Sequence, residues 1–215
     1  MDLIERFAQL SPCALSDVLS RSQVMDIGIR PLWDGMPRIS GPAFTVKCPA
    51  GDNLMLHAAI YRAKPGSIMV VESADVNYAV AGGNVCAVAK KNGIAGFVVD
   101  GVIRDISEAR DIRFPIFARG VIPIPGGKEI LEKLNARIKC GGVDVNAQDM
   151  IVADEEGIVV IPSDKLESVL NSAEAKANKD AAETLESWER NHRAKIDEIL
   201  RKKGFSGIYG QDEKV

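Results

Sequence analysis

Apolar residues recur at helical spacing from the start of the chain. Leu3, Ile4, Phe7 and Leu10 predict a helix over 2–10, and Ala14, Leu15, Val18 and Leu19 after Ser11-Pro12 predict a second. Gly28, Pro31 and Pro37 break that period, and 39–48 (ISGPAFTVKC) then alternates in the two-residue rhythm of a strand. A turn from Pro49 leads into a helix initiated by Asp52, carrying Leu54, Leu56, Ile60 and Tyr61 and stopped by a Pro-Gly pair. Short apolar runs at 68–72 (IMVVE), 97–100 (FVVD, ending at Gly101) and 114–119 (FPIFAR) read as buried strands. Between the first two, a glycine turn at 81–84 (AGGN) opens a helix over 85–91. Two hairpins follow, 138–140 with 143–145 through Gly141-Gly142, and 150–153 with 158–161 through the turn 154–157.

From Ser163 to about Lys203 the pattern becomes one long, highly charged helix. Leu166, Val169, Leu170 and Ala173, and later Leu185, Trp188, Ile196, Ile199 and Leu200, form its apolar stripe. Strand, glycine loop, helix, strand is the order of an α/β fold. The chain therefore reads as one α/β domain over 1–162, with a helical extension of the same domain over 163–215 and a mobile tail from Tyr209. At 215 residues it is long enough to bury roughly 70% of its unfolded surface, so it needs no disulfide or metal staple.

Composition acts mainly by exclusion. A net charge of −3 and 5% aromatic residues argue against nucleic acid as a partner, which calls for clustered basic residues or stacking platforms. Cys13, Cys48, Cys86 and Cys140 are widely separated and never form a CxxC, so they read as reduced core thiols. The opening MDLIERFAQL is no secretory signal, and no apolar run approaches the ~18 residues of a membrane span. The expectation is a cytoplasmic protein with no membrane partner.

Candidate chemistry concentrates between Gly82 and Asp105. Amides at the start of the helix after Gly83 are unpaired donors at the positive end of a helix dipole and suit a carboxylate. Arg104 offers a planar cationic fork and Asp105 a hard oxygen ligand, both just after a strand end. Each feature also has an ordinary reading: a tight connection for the glycine pair, a surface pair for Arg104 and Asp105, turn chemistry for Asp100-Gly101. His57 reads as a packed or capping residue, His192 as solvated, and Glu72 and Asp75 as turn and surface acids. No GxSxG elbow is present.

The segments GPAFTV, PAGDNLMLHAAI, KPGSIMVV and especially AKKNGIAGFVVDGVIRD, over about residues 5 to 162, resemble the RraA-like, or 4-hydroxy-4-methyl-2-oxoglutarate aldolase, family. The resemblance implies a swivelling β/β/α-type sandwich with flanking helices, assembled as a homotrimer or hexamer with the site between subunits. It implies a class II lyase that uses Mg²⁺ or Mn²⁺ to cleave a 2-oxo acid to pyruvate, as an aldolase, an oxaloacetate decarboxylase or both. In that picture Gly82, Gly83, Asn84 and Val85 bind the substrate carboxylate, Arg104 binds and polarises substrate, and Asp105 holds the metal. There is one departure: many aldol-cleaving members carry an acid where this chain has Gly83. Asp100, or Glu189 or Glu198 from a neighbour's C-terminal helix, are the acids considered for its work. The family also contains regulators of ribonuclease activity that act by protein binding, which is the alternative function.

Overall fold

The computed structural model describes residues 2–205, so the tail expected from Tyr209 lies outside the described residues. The elements in chain order are α1 (Leu3–Gln9), α2 (Pro12–Ser16), β1 (Arg30–Pro31), β2 (Ile39–Cys48), α3 (Leu54–Ala59), β3 (Ile68–Ser73), α4 (Gly83–Lys91) and β4 (Gly96–Ile103). They continue with α5 (Ile106–Asp111), β5 (Ile116–Val121), β6 (Ile138–Cys140), β7 (Val143–Val145), β8 (Met150–Asp154), β9 (Gly157–Ile161), α6 (Leu166–Ala182) and α7 (Leu185–Lys202). This is the mixed α/β architecture that the order of apolar patterns predicts.

Seven strands form one sheet in the order β1-β5-β4-β3-β2-β8-β9. β2 is shared between two kinds of pairing. Its first half, Ile39 to Pro42, runs antiparallel to β8, and its second half, Ala43 to Cys48, runs parallel to β3. Beyond β9, Val24 bridges Val159, and the same segment continues into β1, which pairs with β5 at the other edge. The stretch 24–31 thus nearly closes the sheet into a barrel, leaving few unpaired edge groups.

Alternate residues of the central strands feed two cores. Met69, Val71, Phe97 and Val99 face α3, α4 and α5 in one cluster. Ile68, Val70, Val98 and Phe117 pack with Ile138, Cys140 and Ile151 in the other. Strands covered on both faces must be apolar throughout, which is why 68–71 and 97–99 read as unbroken runs. The β6–β7 hairpin turns through Gly141 and Gly142 with φ of +55° and +77°, a backbone that side chains disfavour. Glu72 accepts from the Lys139 amide at 2.8 Å and Asp100 from the Gly141 amide at 2.7 Å, fixing that hairpin to the ends of β3 and β4.

The structure corrects several expectations. β4 does not end at Gly101 but continues to Ile103 across an irregularity between Val99 and Val102. The long C-terminal helix is two helices, because Thr184 leaves helical geometry and its hydroxyl caps α7 through the Ser187 amide. The chain divides into one compact unit up to Glu174 and another from Ala175, so the first turns of α6, with Val169, Leu170 and Ala173 buried, belong to the α/β unit. Cys48, Cys86 and Cys140 are buried free thiols, whereas Cys13 is exposed, 3.6 Å from a Glu156 carboxylate oxygen. Among the described residues no helix is long and apolar enough to cross a membrane.

Phe97 is fully buried and meets Phe114 edge-on, with ring centroids 4.8 Å apart and planes at 85°. Phe97→Ala should therefore cost about 3–5 kcal/mol of stability in chemical denaturation. A loss below about 1 kcal/mol would contradict the packing described for this face.

Candidate functional site

Two βα junctions meet at one place. After β3 the chain reaches Ala81, whose carbonyl accepts from the Arg104 amide at 2.9 Å, so the segment before α4 is paired to the end of β4. Gly82 is the extended N-cap of α4, and both Gly82 and Gly83 are buried. Directly after β4, Asp105 adopts the left-handed region at φ 57° and ψ 40° as the N-cap of α5. A non-glycine residue held there costs of order 1–3 kcal/mol, and such strain persists where the surroundings enforce it.

An N-cap aspartate ordinarily caps its own helix. Asp105 makes no such bond; its Oδ2 instead accepts from the Gly83 amide at 3.2 Å and lies 3.4 Å from Arg104 Nε. The left-handed turn thus aims this carboxylate at the start of a different helix. Gly82 is required there, since a Cβ would stand 2.5 Å from Asp105 Oδ2 and 3.1 Å from Arg104 Cγ. Gly83 is constrained likewise: a Cβ would fall 1.7 Å from Glu108 Oε2. The Glu108 carboxylate occupies the space that a side chain at 83 would fill.

These groups border a cleft of about 190 Å³. Gly82, Asn84, Val85, Arg104 and Asp105 line it, so the structure brings five of the six residues singled out in the sequence to one place, and the sixth, Gly83, donates to Asp105. The remaining lining includes Asn53, His57, Pro125 and Lys128.

The second group is carried by a latch that the sequence pattern did not disclose. Asp52 is buried; its Oδ1 accepts from the Leu54 amide at 2.9 Å and its Oδ2 from the Glu129 and Ile130 amides at 2.6 and 3.2 Å. Burial opposes the charged form of Asp52, but these three amides outweigh it and hold its pKa below the ordinary carboxylate value. Asn53 donates its backbone amide to Gly127 O at 2.9 Å, and its Nδ2 to Gly126 O at 3.1 Å and Ala79 O at 3.4 Å. Residues 126–130 are thereby pinned to the start of α3. Asn53 Oδ1 is left as a buried side-chain acceptor with no partner among the described residues. Its amide cannot usefully flip, because both neighbours of Nδ2 are carbonyls. An unpaired acceptor of this kind costs about 1–3 kcal/mol.

Of the acids weighed from the sequence in the α/β unit, Asp100, Glu72 and Asp75 do not line the cleft. Asp100 is engaged by Arg119, which also pairs with Asp26 at 2.7 Å, and by the Gly141 amide, so it braces the hairpin and does not line the cleft. Glu189 and Glu198 sit on α7 in the second unit, Glu198 paired with Lys202 at 2.6 Å. His192 stacks on Trp188 with centroids 4.5 Å apart. Asp75 accepts from the Gly51 and Asn77 amides and acts as a turn acid. Cys86 is buried, and burial first, then the Asp105 charge, push its thiol up to about 12. Glu108, Lys128 and Asn53 were missed. Only Glu108 left a trace in the sequence, as an acid three residues after Asp105.

The RraA-like (Aldolase/RraA) family model matches residues 12–160. The chain belongs to the RraA-like family. A relative from Halalkalibacterium halodurans named "Putative 4-hydroxy-4-methyl-2-oxoglutarate aldolase" is 39% identical over 183 residues, covering 85% of this chain and 87% of the relative. Among solved structures, this RraA-like chain is similar to Streptomyces coelicolor RraAS2, described as an unusual member of the RNase ES inhibitor RraA protein family. That likeness has a TM-score of 0.74 and 26% identity, covering 83% of this chain and 93% of the other. An uncharacterized protein from Pseudomonas syringae pv. tomato gives a TM-score of 0.74 at 25% identity, covering 88% and 93%.

Two measurements check this site. Gly83→Ala should destabilise the protein by about 1–3 kcal/mol, and far less in a Glu108→Ala background, because the obstruction is then gone. Equal costs in both backgrounds would contradict the position of Glu108. For His57, burial and then the Lys128 charge hold the pKa below its ordinary 6.5. Its folded value lies below the unfolded one, so its neutral form is favoured in the fold. The associated stability is present above the unfolded value and is lost as the pH falls through the folded value. An NMR titration of the ring should show a midpoint below 6.5; a midpoint above it refutes the environment described.

Proposed function

We infer that this RraA-like chain is a lyase that cleaves a carbon–carbon bond of a 2-oxo acid and releases pyruvate, by aldol cleavage, by decarboxylation of oxaloacetate, or both. The observation that carries the reading is the convergence of the Gly82-Gly83 turn, Arg104 and Asp105 on one cleft, with Asp105 turned away from its own helix to meet the Gly83 amide. The relative named as an aldolase supports the same reaction class.

A 2-oxo acid presents a carboxylate beside a carbonyl. With the Gly83 amide given to Asp105, the Asn84 and Val85 amides that follow it at the start of α4 suit the carboxylate. Arg104 can donate to the 2-oxo oxygen, whose negative charge grows as the bond beyond C3 breaks and the electrons pass into the enolate. Collapse to pyruvate needs a proton at C3, and an aldol substrate must first lose its hydroxyl proton. Glu108, occupying the space beside Gly83 next to the cleft, is the acid we assign to that work.

The family implies a divalent cation. Among the described residues no three His, Cys, Asp or Glu side chains form a ligand cluster. The donors present, Asp105 with Glu108 around the glycine pair, are hard oxygens and few. They fit Mg²⁺ or Mn²⁺ that keeps several waters or draws further ligands from a second copy in a trimer or hexamer. When bound, the cation would supply Lewis-acid polarisation of the 2-oxo group.

Purified protein with Mg²⁺ or Mn²⁺ should form pyruvate from 4-hydroxy-4-methyl-2-oxoglutarate or oxaloacetate above the rate of metal alone. Arg104→Ala and Asp105→Ala should each lower kcat/KM by about 10²–10³-fold, and Glu108→Gln should lower kcat by about 10²-fold or more. No pyruvate from either substrate, together with tight binding to a ribonuclease, would instead establish the regulator reading that the likeness to RraAS2 supports.

A further inference from the structure

We propose that the apolar face of α7 pairs antiparallel with the same helix of a second copy of this chain, about a two-fold axis through the helix midpoint. The pairing is separate from the cleft, and α7 lies beyond residues 12–160 that the RraA-like family model matches.

The face itself is the first observation. α7 is 18 residues long and none of them is buried. A helix of this kind draws most of its stability from covering an apolar stripe. Leu185, Trp188, His192, Ile196 and Ile199 form such a stripe at three- or four-residue spacing. Leu185 is 74% exposed, Trp188 49% and the two isoleucines 38% each, so the stripe stands open. At its middle the Trp188 ring stacks on His192 with centroids 4.5 Å apart, a large rigid aromatic of the type that anchors interfaces.

The flanking charges decide the occupant. Turning a copy end for end about the midpoint, between Arg193 and Ala194, sets Glu186 level with Arg201 and Arg190 level with Asp197. Two-fold symmetry forms each of these pairs twice. The same register sets Trp188 level with Ile199. Among the described residues, none of those four charged side chains is in a salt bridge within its own chain. Glu189 comes level with Glu198, but Glu198 is already neutralised by Lys202 at 2.6 Å. A parallel mate in register would set every charge level with its own copy, so attraction selects the antiparallel arrangement.

The test is the mass of the whole chain in solution, by analytical ultracentrifugation over a concentration series. The parent should contain an even number of copies, and Ile196→Glu with Ile199→Glu should halve that number and shift Trp188 emission to the red. A charge exchange separates pairing from simple damage to the helix. Arg190→Glu alone should weaken the pairing about tenfold, and Arg190→Glu with Asp197→Arg should restore it to within about threefold of the parent. These two residues are too far apart on one helix to meet, since only neighbours three or four apart do, so rescue has to come from another copy. A mass unchanged by the isoleucine variant, an odd number of copies in the parent, or an exchange that restores nothing would each overturn the proposal. Trp188 emission that shifts with no change in mass would mean that α7 is covered by its own chain, which overturns it as well.

Discussion

The candidate site depends on one hydrogen bond between two distant turns. The Asp105 carboxylate accepts from the Gly83 amide, and to do so Asp105 takes up left-handed backbone and leaves its own helix without a side-chain cap. Two stabilising options, an unstrained turn and a capped α5, are given up at one residue. What is gained is a carboxylate, a guanidinium and a row of helix-start amides facing one cleft. The glycines follow from this constraint, since at Gly82 a side chain would strike Asp105 and at Gly83 it would strike Glu108.

The rest of the α/β unit serves to hold those two turns in register. β3, β4 and β5 run parallel, which places the turns after β3 and β4 at the same end of the sheet, where ligands of open α/β sheets gather. The latch from Asp52 and Asn53 to residues 126–130 then brings a third segment to that end. Its residues lie outside the named strands and helices, and two isolated parallel bridges, Asp52 to Gly127 and Ala79 to Pro125, together with the buried Asp52 carboxylate-to-amide bonds, give it a fixed course.

Much of this was legible in the sequence because it depends on local pattern. β2 falls on the alternating run 39–48, and the Gly141-Gly142 hairpin forms where the paired glycines stand. The site residues Gly82 to Val85, Arg104 and Asp105 were legible as a glycine turn and a charged pair one strand apart. Their roles came from family resemblance, because adjacent Arg and Asp are ordinary surface residues in most chains. The break at Thr184 was hidden, since a threonine within a charged, alanine-rich run carries no marked stop signal. Lys128 and Asn53 were illegible for a different reason: their meaning lies in contacts across some 75 residues, and no periodicity encodes a loop tied to a buried aspartate. Glu108 stands between these cases. Its spacing from Asp105 is visible, but only the structure shows its carboxylate filling the volume left open at Gly83.

On the proposed lyase reading, one cleft would hold a cation at Asp105 and an anion on the α4 amides, with Arg104 between them. Diffraction from crystals soaked with Mn²⁺ and oxalate tests it most directly, because the metal is located by its own anomalous signal. The expected result is a manganese peak at bonding distance from an Asp105 oxygen, with oxalate beside it at the amides after Gly82 and the Arg104 guanidinium. Manganese bound away from Asp105, or oxalate bound away from the glycine turn, would contradict it.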